Sequence, residues 1–187
     1  MQTSGFERLD ISDVFLITPK RFGDARGFFT ETYNKQRFEA LSGLEIDFVQ
    51  DNCSYSSEKG TLRGLHFQLP PYDQAKLVSV NRGAIFDVAV DFRKGSPTFG
   101  RWVSAILDAA KGQQIFVPRG FLHGFVTLQE DTEVSYKVDN YYSAEHDAGV
   151  MWNDEQLGIA WPECDPILST KDRALPRLSE VATPFSC

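Results

Sequence analysis

Phe86, Val88, Val90 and Phe92 alternate with Asp87, Ala89 and Asp91, and this period of two predicts a half-buried strand over residues 85–92. Shorter apolar runs predict strands over residues 14–18, 28–32, 48–56, 61–68, 76–82, 102–107, 114–117, 125–128 and 133–140. Turn clusters separate several of them: Gly23 to Gly27, Glu58-Lys59-Gly60, Arg93 to Pro97, and Lys111-Gly112. One stretch reads as a short helix, with Asn34 as its cap, Phe38 and Leu41 on one face and Gly43 as its stop. Many short, evenly spaced strands imply an all-β barrel or jelly roll. The tail after Trp152 predicts short helices or loops packed on that barrel.

At 187 residues the chain suits one well-buried core, so residues 1–187 are read as a single domain. A formal charge of −7 argues against general nucleic-acid binding, which needs a basic surface. It leaves room for a small phosphorylated ligand held by a few local cations. Arg26, Arg63, Lys76, Arg119 and Lys171 are candidates, although solvated surface is the default for any one of them. No apolar stretch approaches a membrane span, and Met1 to Glu7 lack the order of a secretory signal. Cys53, Cys164 and Cys187 are odd in number and widely spaced, which suits a reducing compartment. The expectation is a cytoplasmic enzyme with no membrane or nucleic-acid partner.

Two histidines carry the candidate chemistry. His66 lies in Arg63-Gly64-Leu65-His66-Phe67-Gln68, and His123 in Pro118-Arg119-Gly120-Phe121-Leu122-His123-Gly124-Phe125. Gly112 to His123 resembles the second conserved motif of cupins, which are built on double-stranded β-helix barrels. That family's first motif normally offers two histidines and a glutamate to a metal. Here it gives His66 alone, with Gln68 where the second histidine would stand. Zinc or non-haem iron wants three protein ligands beside an open position, and the motifs supply two. No metal and no organic cofactor are therefore expected. Two histidines meeting in a barrel without a metal set suggest proton transfer.

Further motifs narrow the resemblance. Thr61 to Gln68, Gln74-Ala75-Lys76-Leu77-Val78, Phe86 to Asp91 and Gly95 to Gly100 are similar, in order and spacing, to the dTDP-4-dehydrorhamnose 3,5-epimerase family. Pro118 to Phe125, Tyr136-Lys137, Tyr141-Tyr142, Trp152-Asn153-Asp154 and Ser169-Thr170-Lys171-Asp172 continue the match across nearly the whole chain. The resemblance implies a cupin-type jelly roll with a few short peripheral helices. It also implies a substrate that is a thymidine-diphosphate-linked 4-keto-6-deoxy sugar, and a homodimer able to exchange N-terminal strands.

Such a reaction has a clear chemical demand. Hydrogens on ring carbons 3 and 5 flank the ketone, so loss of either gives an enolate. Inversion then needs a base on one face and a proton donor on the other. A neutral imidazole, with an unperturbed pKa of about 6.5, suits the base, and a phenol at about 10 suits the donor. The enolate oxygen needs a positive or hydrogen-bonding neighbour. By resemblance His66 is the base, Asp172 orients it, Tyr136 is the opposite-face acid and Lys76 polarises the ketone. Arg26, Glu31, Gln50, Asp51, Asn52, Arg63, His123, Asp147 and Lys171, with Lys76, match nucleotide-sugar-contacting positions. Asp147 stands where the family pattern has the longer glutamate. Phe22, Phe28, Phe29, Tyr141 and Tyr142 are candidates for stacking on the base.

Local sequence leaves alternatives open. His66 alone could be a hydrogen-bonded strand histidine. Tyr136 is in phase with Val134 and Val138, so core packing explains an inward ring equally well. Ser169 and Asp172 also fit a helix capping box. Strict alternation puts His66 with Gly64 and Gln68 while Arg63 faces away, unless Gly64 marks a bulge or Arg63 lies at the strand end. Three rival functions share the scaffold: a single-carbon epimerase of a related sugar, a metal-dependent cupin oxygenase or isomerase, and a non-catalytic sugar-binding cupin.

Overall fold

The computed structural model describes residues 5–163 and 165–187, so Cys164 and residues 1–4 of the start lie outside the described residues. Two antiparallel sheets face each other. The first runs β1 (Gly5–Arg8), β2 (Phe15–Thr18), β10 (Gln114–Val117), β7 (Lys76–Arg82), β12 (Thr132–Val138) and β5 (Gln50–Ser56). The second runs β13 (Asp147–Gly149), β6 (Leu62–Gln68), β11 (Phe121–Thr127), β8 (Ala84–Asp91) and β9 (Trp102–Asp108). A separate hairpin joins β3 (Arg21–Asp24) to β4 (Gly27–Thr30). This is the expected cupin-type jelly roll.

Three apolar layers explain the burial. Between the sheets lie Val78, Val80, Ile85, Ala89, Ile115, Phe121, Phe125 and Val134. On the outer face of the first sheet, α1 (Lys35–Ser42) presses Phe38 onto Phe15, Leu77 and Phe116. On the outer face of the second, the C-terminal tail covers Leu65, Phe67, Val88, Val90 and Leu122. Each such fully buried side chain stabilises the fold by roughly 1.5–3 kcal/mol. The tail carries α2 (Thr170–Arg173) and the 3₁₀ turn Leu178–Glu180.

The tail also corrects one expectation. β8 is not half-buried: Asp87 and Asp91 are as inaccessible as the apolar residues between them. Phe86, Val88 and Val90 face the tail, while Ile85 and Ala89 face the barrel interior, and Asp87 shares their parity.

The helix forms as read. Asn34 accepts from the Arg37 N–H, and Gly43 closes the C-terminus at φ 76°. Leu41, expected on the buried face, stays exposed. β1, β3 and β13 had no sequence signal, being three or four residues long with little alternation. The strand carrying His123 starts at Phe121, four residues earlier than its apolar run suggests, directly after the Pro118 to Gly120 turn. Among the described residues no helix is long and apolar enough to cross a membrane.

Candidate active site

β6 solves its own parity problem by a bulge. In the β6–β11 ladder His123 pairs with His66 and Phe125 with Arg63, so three steps on β6 match two on β11. The extra residue turns Arg63 inward beside His66. Gly64 permits this: its φ is +134°, and a Cβ there would come within 2.5 Å of Gly124 Cα.

The inward faces enclose a cavity of about 480 Å³. Its walls come from different sheets. β6 and β11 supply Arg63, His66 and His123, while β5, β7 and β12 supply Gln50, Asn52, Lys76 and Tyr136. Asp147 from β13 and Lys171 and Asp172 from α2 close one side. Ten of the thirteen expected site residues therefore meet around one space.

His66 Nε2 lies 2.5 Å from Asp172 Oδ1. Ser169 Oγ donates to the other carboxylate oxygen at 2.8 Å and accepts the Asp172 N–H at 3.0 Å. Half of the expected capping box forms: Ser169 Oγ caps the Asp172 N–H, and the same hydroxyl, rather than the Ser169 N–H, holds the carboxylate that faces His66. Burial works to raise the Asp172 carboxyl, but the hydrogen bonds from His66 and Ser169 outweigh it and hold it below the usual range. An ionised Asp172 only accepts, so Nε2 carries the imidazole proton and Nδ1 keeps the lone pair.

Facing these groups, Tyr136 is largely buried, which pushes its phenol upward despite the nearby Arg63 charge. It stays protonated at neutral pH, as a donor must. Burial pushes the Lys76 ammonium down to about 8, against the opposing pull of Asp147, Asp139 and Asp87. Lys76 is thus a cation below that pH in a poorly hydrated place.

Sequence reasoning missed Asp87. His123 Nε2 lies 2.9 and 3.0 Å from its two oxygens, and burial raises that carboxyl. An aspartate inside an otherwise apolar inward row was the available signal. Ser54 was also missed: it lines the cavity, and its Oγ and the buried Arg63 Nε have no hydrogen-bond partner. Both are poised for a polar ligand.

Three expected residues lie elsewhere within the chain. Arg26 sits at the tip of the β3–β4 hairpin, bound to Asp24. Glu31 follows that hairpin and pairs with Arg37 at 3.0 Å. Asp51 points to the outer face of β5 and pairs with Lys137 at 2.8 Å. Arg119 is tied to Asp139 and Asp73 rather than to the cavity. Of the aromatic candidates, only Tyr142 lines it. Among the described residues, no group of three or more His, Cys, Asp or Glu is placed to hold a metal ion.

Comparison with known proteins gives one consistent picture. The family model described as dTDP-4-dehydrorhamnose 3,5-epimerase matches residues 8–180. The chain is 51% identical over 181 residues to the enzyme of that name from Sinorhizobium fredii, covering 96% of this chain and 92% of the other. A crystal structure of the Bacillus anthracis dTDP-4-dehydrorhamnose 3,5-epimerase with TDP and PPi bound superposes with a TM-score of 0.91 at 56% identity, covering 94% of this chain and all of that one. The Legionella pneumophila dTDP-6-deoxy-D-glucose-3,5-epimerase, in complex with dTDP-4-keto-L-rhamnose, gives 0.92 at 44% identity, covering 96% and 95%.

Proposed function

The chain belongs to the dTDP-4-dehydrorhamnose 3,5-epimerase family, and we propose that it inverts carbons 3 and 5 of dTDP-4-dehydro-6-deoxy-D-glucose to give dTDP-4-dehydro-L-rhamnose. The observation that carries the reading is the placement of His66 and Tyr136 on opposed sheets around one cavity, with Lys76 beside them.

Each inversion follows from those groups. His66 Nδ1 takes the proton from the carbon beside the ketone, and the electron pair moves onto the ketone oxygen. The ammonium of Lys76 stabilises that oxygen, in a site where poor hydration strengthens the attraction. Asp172 stabilises the imidazolium that forms. Tyr136 gives its phenol proton to the opposite face of the carbon, and both groups then reset by proton exchange. Arg63, Asn52, Gln50 and Lys171 hold the nucleotide diphosphate and sugar. No metal or organic cofactor enters these steps. The test is incubation with the 4-keto-6-deoxyglucose nucleotide in heavy water, which should place deuterium at carbons 3 and 5. Deuterium at one carbon only would assign the single-carbon reaction, and at neither would remove catalysis.

The working form is a cytoplasmic homodimer in which each cavity is completed by the partner chain. The β3–β4 hairpin supports this: Phe22, Phe28 and Phe29 stay 49%, 59% and 69% exposed, even with Lys20 set over the Phe22 ring and Arg21 over the Phe28 ring. Inserted into a partner, the hairpin would carry Arg26, with Glu31 close behind it, toward the second cavity.

A further inference from the structure

Gln68 lies two residues beyond His66 on the same face of β6. It is buried, and both ends of its amide are hydrogen-bonded. Its Nε2 donates to the Tyr72 carbonyl at 2.6 Å and to the Tyr141 carbonyl at 3.2 Å. Its Oε1 accepts from the Ser143 N–H at 2.7 Å. Two carbonyls require the amino end and one N–H requires the oxygen, so the partners fix the amide's orientation.

One side chain thereby joins residues 69–74 to residues 139–146, two loops on the cavity rim. Two more amides stitch the same seam, and a third, Gln50, ties its second loop to β5. Asn140 Nδ2 donates to Pro71 O at 2.8 Å, Gln74 Nε2 to Asn140 O at 2.8 Å, and Gln50 Oε1 accepts from Tyr142 N at 3.1 Å. Of the four, Gln68 alone is buried, and it alone starts from the strand that carries His66. The seam sets Tyr142, whose hydroxyl donates to Asp147 at 3.0 Å, at the edge of the cavity.

We propose that Gln68 is a positioning residue, holding both rim loops around the bound nucleotide sugar through Tyr142 and Gln74 so that the sugar stays in place between its two inversions. This rests on the epimerase reading above. Two proton transfers by one base require that the half-inverted sugar not escape, and a fixed rim provides that retention. Where a metal-binding cupin would use this inward position for a ligand, here it anchors backbone.

Two variants test the role. Gln68→Leu leaves two carbonyls and one N–H unpaired, while Gln68→Asn keeps the amide but withdraws it by one methylene. In a folded variant KM should rise about tenfold or more, exceeding any fall in kcat, as expected when binding contacts rather than the base are disturbed. Rapid quenching in heavy water, read by NMR, should show more free nucleotide sugar inverted and deuterated at one carbon only. Wild-type KM with wild-type product partition would overturn the proposal, as would a fall in kcat with KM unchanged. Absence of deuterium uptake by the unaltered protein would instead remove the epimerase reading, so the two failures are distinct.

Discussion

His66 and His123 stand opposite each other in the β6–β11 ladder, yet different carboxylates brace them: Asp172 from the tail and Asp87 from β8. The two imidazoles share a wall of the cavity without sharing a hydrogen-bond network. Removing one brace should therefore not mimic removing the other.

Asp172→Asn keeps the shape of the brace and lets the amide's donor end face His66. It should lower kcat by about 10²–10⁴-fold while KM changes little, because the loss falls on the charged imidazolium of the transition state. Steady-state kinetics and deuterium uptake measure this. His66→Ala should abolish uptake at both carbons, and retained uptake would assign the base elsewhere.

Tyr136→Phe removes the donor and leaves the base. Proton loss to His66 should persist, so deuterium enters the starting sugar from the side it left, while inverted product falls sharply. Normal inversion by this variant would show that another group protonates the opposite face.

The alkaline limb of the pH profile should come from Lys76. Its ammonium, pushed down to about 8, polarises the ketone below that pH and is lost above it, so kcat/KM should fall as pH rises through about 8. Asp87→Asn removes one of the carboxylates that support the charge and should move this limb to lower pH. Stability runs the other way. Between about 8 and 10.5 the unfolded chain holds a proton on this lysine that the folded chain lacks, so this group's contribution to stability rises with pH across that window. Denaturant titrations of wild type and Lys76→Met would isolate it.

Gly64→Ala places a methyl against Gly124 at a φ that side chains disfavour. A cost of roughly 1–3 kcal/mol is expected, with KM raised because Arg63 loses its inward turn. Urea unfolding and kinetics on the same preparation check both effects. Unchanged kinetics would mean that the bulge does not serve the site.

If the partner's hairpin completes each cavity, Arg26→Ala and His66→Ala chains are each defective alone but complement when mixed. A mixed dimer has one cavity with an intact His66 and an intact Arg26, so activity should be partly restored after subunit exchange. Two inactive preparations that stay inactive when fully exchanged would place Arg26 outside the partner's site.

Alternating side chains, Gly and Pro punctuation and the Asn34 and Gly43 caps determined the all-β architecture, the helix and most strand positions, because these signals act within a few residues. Short motifs likewise pointed to His66, Lys76, Tyr136 and Asp172 as a set. Only the tertiary structure decided that Asp87 is buried and bound to His123, since the opposing sheet closes over the inward row of Ile85, Asp87 and Ala89 while a tail distant in sequence covers the far side of β8. Only the tertiary structure turned Arg63 inward, because a bulge at Gly64 is defined by register against β11 and not by β6 itself. It also gave Gln68 its partners, which lie in two separate loops. Alternation tells which residues share a face; what that face meets depends on chain segments far away, and so it appears only when the sheets close.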